Sequence, residues 1–212
     1  MSTRNYNQNC PIARGLDVLG ERWTLLILRE LVGGPRRYGD LRAELPGIAT
    51  NLLAERLKEL QEAGLVDRAV LPAPIGRTVY SLSDTGWQRV LPILQTVAWF
   101  GVDRLDPIED GPASPLTGFL AGIMLGCDPA AAGGLKATYR VEIDGRRFEF
   151  AMEQGHLAAG HGEPAVTITA SAADLVTTRL GKSDAERTAA LRRIDFDGDE
   201  RDVDALRRAY SL

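Results

Sequence analysis

Apolar side chains recur at three- and four-residue steps through most of the first hundred residues, which is the spacing of amphipathic helices. This pattern predicts helices at 11–19, 21–31, 38–45, 50–63 and 84–105. Two segments with alternating apolar and polar residues, 66–70 and 78–82, flank a tip that contains Pro and Gly, so they predict a β-hairpin. The order helix, tight turn, helix, hairpin is that of a winged helix-turn-helix, which makes a DNA-binding regulator the first hypothesis.

The pattern changes after residues 106–113, whose Pro, Gly and acidic content is typical of a linker. Beyond this segment, helices are predicted at 114–126, 171–180, 183–191 and 203–210, and strands at 137–143, 146–152, 157–160, 165–170 and 193–196. The Asp144-Gly145 pair between two strands is a strong hairpin signal. We therefore predict an α+β fold with two domains: an N-terminal winged helix-turn-helix at 1–105 and, after the linker, a small α+β domain at 114–212 in which helices cover an antiparallel sheet.

Composition and charge narrow the function classes. A hydrophobic content of 44% and a charged content of 25% are typical of a globular protein. With neither an apolar run of membrane-spanning length nor a signal-peptide pattern at the start, we expect a cytoplasmic protein. Residues 1–80 hold 11 Lys and Arg against 9 Asp and Glu, whereas residues 81–212 hold 14 against 20. The positive excess lies with the winged helix, where it favours duplex binding.

The second helix of the motif carries the expected base-reading residues. Its apolar side should pack inward, and its N-terminal residues on the opposite side should meet base edges. Asn51 can bond adenine through both atoms of its amide, and Ala54 is small enough to contact a thymine methyl. Lys58 suits a phosphate, and so do Arg36 and Arg37, which precede the first helix of the motif. An arginine at a wing tip, here Arg77, can enter a minor groove. The full set expected at DNA is Arg36, Arg37, Tyr38, Thr50, Asn51, Ala54, Lys58 and Arg77.

Residues 10–101 resemble the HxlR-type winged-helix transcriptional regulators. The resemblance rests on the segment CPIARGLDVLGERWTLLILRELVGGPRRYGDLRAELPGIATNLLAERLKELQEAGLV and on RTVYSLSDTG and PILQTVAWFG, which follow it. It implies homodimers, built partly through the helix after the wing, that bind pseudo-palindromic operators. Many relatives have Ser where Ala49 stands, so Thr50 is expected to supply the hydroxyl. For the dimer we expect the 84–105 helix to present an apolar stripe, helped by residues 1–19; the stripe consists of Trp87, Leu91, Leu94 and Ala98.

Residues 114–212 resemble sterol-carrier-protein-type lipid-binding domains. The segments that carry the resemblance are ATYRVEIDGRRFEFAMEQG, AVTITAS, ADLVTTRLG and IDFDGDERDVDALRRAYS. Such domains hold apolar ligands between a sheet and its helices, so an apolar small-molecule effector is expected here; an ordinary packed core is the simpler interpretation for any one side chain. The candidate lining residues are Phe119, Ile123, Met124, Phe148, Phe150, Met152, Leu175 and Phe196.

Two other functions stay open at this point. Cys10 precedes Pro11 at a helix start, where unpaired N–H groups favour a thiolate, so a repressor that senses oxidants or electrophiles through Cys10 is the first alternative. A lipid or small-molecule carrier that uses the winged helix only for assembly is the second. The sequence shows no catalytic set of residues, and we expect no enzyme, no cofactor and no metal site.

Overall fold

A computed structural model of the chain describes residues 5–72, 76–104 and 113–211, with the backbone alone of Asp103. The chain divides into two compact units, Met1–Val90 and Leu91–Leu212. Residues 106–112 of the predicted linker, residue 105 of the predicted helix and residues 73–75 of the wing tip lie outside the described residues. The predicted domain boundaries at 105 and 114 therefore stay predictions.

The first unit has the element order predicted for a winged helix-turn-helix. Its elements are α1 (Pro11–Leu19), α2 (Thr24–Val32), α3 (Tyr38–Glu44), α4 (Thr50–Glu62), β1 (Val66–Val70), β2 (Thr78–Leu82) and the start of α5 (Asp84–Gly101). The two strands pair antiparallel from Val66 opposite Leu82 to Val70 opposite Thr78. A 3₁₀ turn, Val102–Arg104, follows α5.

The core of this unit is formed by the apolar sides of its helices. Side chains that are only 0–1% exposed include Ile27, Leu28, Leu31, Leu41, Leu53, Leu57 and Leu60. Helix α2 begins at Thr24 and not at Glu21 as predicted, because Trp23 has a φ of 80° and therefore lies in the left-handed region, outside a right-handed helix. Apolar spacing alone does not reveal such a residue.

The second unit contains one five-stranded sheet and several helices. Its elements are α6 (Pro115–Gly118), a π-helical segment (Phe119–Met124), β3 (Lys136–Ile143), β4 (Arg146–Glu153), β5 (His156–Ala159), β6 (Val166–Ala170), α7 (Ala172–Leu180), α8 (Asp184–Leu191), β7 (Asp195–Gly198) and α9 (Glu200–Ala209). The strand order is β5-β4-β3-β6-β7. This confirms the predicted α+β class.

One strand pairing differs from the expected antiparallel arrangement. Strands β3 and β6 are parallel, with Tyr139 opposite Val166 and Ile143 opposite Ala170. The remaining neighbours in the sheet pair antiparallel. The chain reaches β6 only after β4 and β5, and this long connection lets β6 run in the same direction as β3.

The helix predicted at 114–126 is replaced by a short α-helix that continues as a π-helical segment. Its wider turn is closed by the Leu125 amide, which donates to the Leu120 carbonyl at 3.0 Å. Gly118 and Gly122 lie against α7, and a Cβ at Gly118 would stand 2.7 Å from the Cα of Ala172. Glycine is required at this contact because the backbones approach too closely for a side chain.

Candidate nucleic-acid interface and ligand cavity

Helix α4 separates an apolar side from an exposed polar side. Leu53, Leu57 and Leu60 are 0–1% exposed and belong to the core. The four predicted DNA-binding residues on this helix are all exposed: Thr50, Asn51, Ala54 and Lys58. Lys58 forms an i,i+4 ion pair with Glu62 at 3.5 Å, in which both side chains are largely exposed, so the pair is weak and the ammonium stays available to a phosphate.

Tyr38 has a positioning role in addition to its predicted place at DNA. It begins α3 and its hydroxyl donates to the carbonyl of Thr50 at 2.5 Å, which joins the starts of α3 and α4. The predicted phosphate residue Arg37 precedes α3, and its backbone amide donates to the carboxylate of Asp40 at 3.2 Å. The hydroxyl of Tyr38 thus fixes the start of the helix that presents Asn51.

Arg36 is placed differently from its predicted phosphate contact. Its guanidinium lies 3.7 Å from the carboxylate of Glu30, which is 2% exposed and also accepts from Arg29 at 2.7 and 3.0 Å. The backbone of Arg36 exchanges two hydrogen bonds with Tyr80 of β2, at 2.7 and 2.8 Å. Arg36 is one of the charged partners that this buried carboxylate needs, and its contact to a phosphate stays a prediction.

The wing carries two exposed arginines, Arg68 and Arg77, of which only Arg77 belongs to the predicted set. Arg77 is exposed, and its carbonyl accepts from the amide of Leu71 at 2.9 Å, which closes the described part of the hairpin. Arg68 in β1 is also exposed and pairs in register with Tyr80. Outside the wing, Arg42 on α3 is also exposed and also absent from the predicted set. It has no charged partner within the described ranges. Arg68 and Arg42 both lie on the polar sides of predicted elements, so the sequence pattern alone could have marked them as candidates.

The predicted ligand-lining residues form mostly a packed core. Phe119 stacks on Phe148 at 4.8 Å between ring centroids, and Phe150 stacks on Tyr139 at 5.2 Å. Five of the eight predicted residues belong to this core and are 0–3% exposed: Phe119, Met124, Phe148, Phe150 and Met152. The other three line an apolar cavity of about 20 Å³, which has room for one water molecule; they are Ile123, Leu175 and Phe196. Their role in ligand binding stays a prediction.

The apolar stripe predicted for dimerisation is mostly buried within the single chain. Trp87, Leu91 and Leu94 are 7%, 2% and 7% exposed, so they are not available to a partner, and Ala98 is half-buried. A different stripe of α5 is exposed, with Ile93 at 37%, Val97 at 46% and Phe100 at 70%. In the first unit, Ile12 and Leu16 of α1 are exposed as well, at 74% and 43%.

Cys10 lies directly before α1, and its side chain is partly exposed. Its carbonyl accepts the first helical hydrogen bond, from Arg14 at 2.9 Å, whereas its thiol caps no amide. Within the part of the chain that the structure describes, no group of three or more His, Cys, Asp or Glu is placed to hold a metal ion. No helix among the described residues is long and apolar enough to cross a membrane.

Comparison with known proteins decides the family. Residues 18–109 match the model of the HxlR-like helix-turn-helix family. The HTH-type transcriptional regulator YvaP of Bacillus subtilis is 36% identical over 104 residues, which are 49% of this chain and 95% of YvaP. The chain belongs to the HxlR-like helix-turn-helix family. This HxlR-like protein also carries a domain, at residues 127–209, that matches the SCP-2 sterol transfer family.

A second regulator is similar to the same part of the chain. The HTH-type transcriptional regulator YodB of Bacillus subtilis is 35% identical over 94 residues, which are 44% of this chain and 84% of YodB. The solved structure of the reduced form of YodB has 34% sequence identity and a TM-score of 0.39, and the match covers 47% of this chain and all of that one. The HxlR-like protein is therefore a transcriptional regulator with a DNA-binding helix-turn-helix and an SCP-2-type domain, and it belongs with regulators rather than with enzymes.

Proposed function

We propose that the protein is a homodimeric transcriptional regulator that binds a pseudo-palindromic operator and responds to an apolar small molecule in its second unit. The observation that carries the DNA-binding proposal is the exposed side of α4. Thr50, Asn51 and Ala54 are exposed to solvent in the first turns of this helix, and its opposite side is buried in the core. The first residues of such a helix are the ones that reach base edges in the major groove.

Dimerisation is proposed to use the exposed stripe of α5 and not the predicted one. Ile93, Val97 and Phe100 follow each other at four- and three-residue steps, so they lie on one side of the helix. A second copy of the chain is the proposed occupant, because a two-fold axis brings identical stripes together. Two recognition helices would then reach successive major grooves of a symmetric operator.

Operator binding is tested with a duplex selected from a random library by the full-length protein. The variant Asn51→Ala is expected to lose about 1–3 kcal/mol of binding free energy and to relax specificity at one base step. Arg77→Ala is expected to weaken binding evenly across sequences and to lower the salt slope by about 1. The matched control is Gln88→Ala, which truncates an exposed amide on α5. If Asn51→Ala and Gln88→Ala bind every duplex equally well, the assignment of α4 fails.

The effector proposal is tested on the same protein. A small molecule that copurifies is extracted, identified by mass spectrometry and added back to stripped protein. A ligand shifts the operator equilibrium only through its different affinity for free and DNA-bound protein. The operator Kd is expected to change about 5- to 150-fold. An unchanged Kd at saturating ligand would contradict regulation through this unit.

Thiol sensing at Cys10 is the second candidate, and the partial exposure of this side chain before α1 favours it. Treatment with diamide, an oxidant of thiols, distinguishes the two candidates. If diamide changes operator affinity in the wild type and not in Cys10→Ser, the input lies at Cys10. The effector proposal instead expects Cys10→Ser to keep its full response to the extracted molecule.

A further inference from the structure

Helix α2 carries a charged side chain inside the core of the first unit. Glu30 is 2% exposed, which makes it the most deeply buried charged side chain among the described residues. Its Oε1 accepts from Nε and Nη2 of Arg29, whose side chain reaches solvent. A carboxylate in such a place costs free energy unless cations compensate it, and apolar side chains of similar volume often stabilise a protein at least as well. Stability alone therefore does not explain the charge of Glu30.

Arg36 is the second cation at this carboxylate, and it lies between α2 and α3. Its Nη2 stands 3.7 Å from Oε2 of Glu30, and its side chain is 16% exposed. Because most of both groups is shielded from water, they attract each other more strongly than two exposed charges would. The pair thus ties the segment before α3 to the core helix.

The backbone of Arg36 is joined to the wing. Its amide donates to the carbonyl of Tyr80 at 2.8 Å, and its carbonyl accepts from the amide of Tyr80 at 2.7 Å. Arg36 therefore forms an antiparallel bridge with the middle of β2, whose other edge pairs with β1. Strand β2 begins one residue after Arg77. A side-chain anchor at Arg36 consequently holds the strand that leads away from the wing arginine.

The same segment leads directly into the helix-turn-helix. Helix α3 begins at Tyr38, and the hydroxyl of Tyr38 donates to the carbonyl of Thr50 at the start of α4. One short segment is thus connected to the wing through Arg36 and to the recognition helix through Tyr38. Binding residues need such supporting contacts, which keep them within about 0.5 Å of the productive geometry.

We infer that Glu30 and Arg36 are positioning residues for DNA binding: their ion pair holds the wing at the distance from α4 at which Arg77 reaches the minor groove. The inference rests on the proposed contact of Arg77 with DNA. It differs from a phosphate contact of Arg36, because here the guanidinium acts on the operator only through β2. An arginine at a phosphate contributes independently of the wing, whereas a positioning arginine contributes only while Arg77 is present.

The test is a double-mutant cycle on the operator selected with the full-length protein. Fluorescence anisotropy measures Kd below the unfolding temperature of every variant. Arg77→Ala is expected to raise the wild-type Kd at least about tenfold, through the loss of one charge-assisted contact. Arg36→Gln is expected to raise it to the same extent, and Arg77→Ala added to Arg36→Gln is expected to raise it further by less than about twofold. Independent contributions would instead multiply to at least about a hundredfold.

Glu30→Gln is expected to reproduce Arg36→Gln in this cycle, since it removes the charge and keeps an acceptor for Arg29. Arg36→Gln leaves Glu30 with both hydrogen bonds from Arg29, so it carries the test if Glu30→Gln does not fold. Chemical footprints separate the two grooves. Arg36→Gln is expected to lose hydroxyl-radical protection of the minor groove at the wing and to keep the protection of guanine N7 in the major groove at α4.

Arg56→Gln is the matched control. Arg56 is a similarly shielded arginine of the first unit, with a side chain that is 12% exposed. It lies 3.6 Å from the carboxylate of Glu21 and also pairs with Glu59, and neither partner belongs to the wing. Loss of these pairs is expected to leave the effect of Arg77→Ala at its wild-type size.

Several outcomes would overturn the inference. A full effect of Arg77→Ala in the Arg36→Gln protein would favour a phosphate contact of Arg36 instead. A wild-type Kd in Arg36→Gln would exclude either role, and a reduced effect of Arg77→Ala in Arg56→Gln would mean that any loosening of the unit suffices. If Arg77→Ala leaves the wild-type Kd unchanged, the wing contact and the positioning role both fail, while Asn51→Ala decides the assignment of α4 separately.

Discussion

Truncation of Phe100 should dissociate the proposed dimer. A phenylalanine side chain offers about 200 Å² of surface, so its exposed fraction of 70% corresponds to about 140 Å². At about 25 cal/mol per Å², covering this area contributes about 3.5 kcal/mol per protomer. Phe100→Ala retains part of that contact and should lose about 2 kcal/mol per protomer, or about 4 kcal/mol in a symmetric dimer.

This loss should weaken the dimer about a thousandfold, since each 1.4 kcal/mol is a factor of ten. The figure is an upper value, because association also orders side chains. Sedimentation velocity over a concentration series measures the dimer Kd of the wild type, Phe100→Ala and the control Gln88→Ala. Gln88 is an exposed polar position of α5, and its truncation is expected to leave the Kd unchanged.

Two results would refute the reasoning. If the wild type sediments as a monomer at every concentration, a second copy of the chain does not cover the exposed stripe of α5. A dimer whose Kd is the same in Phe100→Ala and in the wild type would show that the interface lies elsewhere. In that case α1, with the exposed Ile12 and Leu16, becomes the next surface to vary.

Three further predictions follow from individual contacts. Tyr38→Phe loses the hydroxyl bond to Thr50 and should lower the free energy of unfolding in urea by about 1 kcal/mol. Gly118→Ala forces a Cβ to within 2.7 Å of the Cα of Ala172 and should cost about 1–3 kcal/mol in the same assay. Cys127 should react slowly with iodoacetamide at pH 8 and faster as the pH rises past 11. The reason is that burial raises its pKa to about 11 and only the thiolate reacts. Peptide mass mapping measures the rate.

Each of these predictions has its own internal comparison. Gly134→Ala places a Cβ in open space, so it should not destabilise the protein as Gly118→Ala does. A Gly118→Ala protein as stable as Gly134→Ala would mean that the neighbouring helix yields without cost. Rapid alkylation of Cys127 at pH 8 would mean that the thiol is more accessible than its burial indicates. A Tyr38→Phe protein as stable as the wild type would mean that water replaces the lost hydrogen bond.

The sequence predicted α4 correctly because that helix has one clear apolar side. Leu53 and Leu57 recur with the helical period and are buried, and the same period leaves Asn51 and Lys58 exposed. Its function at DNA follows from the family, whereas the role of each side chain stays a prediction.

Where an element has apolar residues on more than one side, the sequence was a poorer guide. Helix α5 carries two apolar stripes, and periodicity does not say which one packs within the chain; Leu91 is buried and Val97 is exposed. Arg36 and Arg37 are neighbours in the sequence, and local pattern does not distinguish them. The structure does, because the guanidinium of Arg36 lies 3.7 Å from the buried carboxylate of Glu30. The parallel pairing of β3 with β6 likewise depends on the route of the chain and not on local pattern.

The pairing of β3 with β6 also orders events during synthesis of the second unit. Strands β3 and β4 are adjacent in the chain and can form a hairpin as soon as both have left the ribosome. The other edge of β3 stays open until β6 emerges, and open strand edges favour aggregation. Contacts between residues this far apart along the chain also slow folding. Chains that terminate early, between β5 and β6, should therefore aggregate, whereas the sheet edge is protected in chains that include β6 and β7.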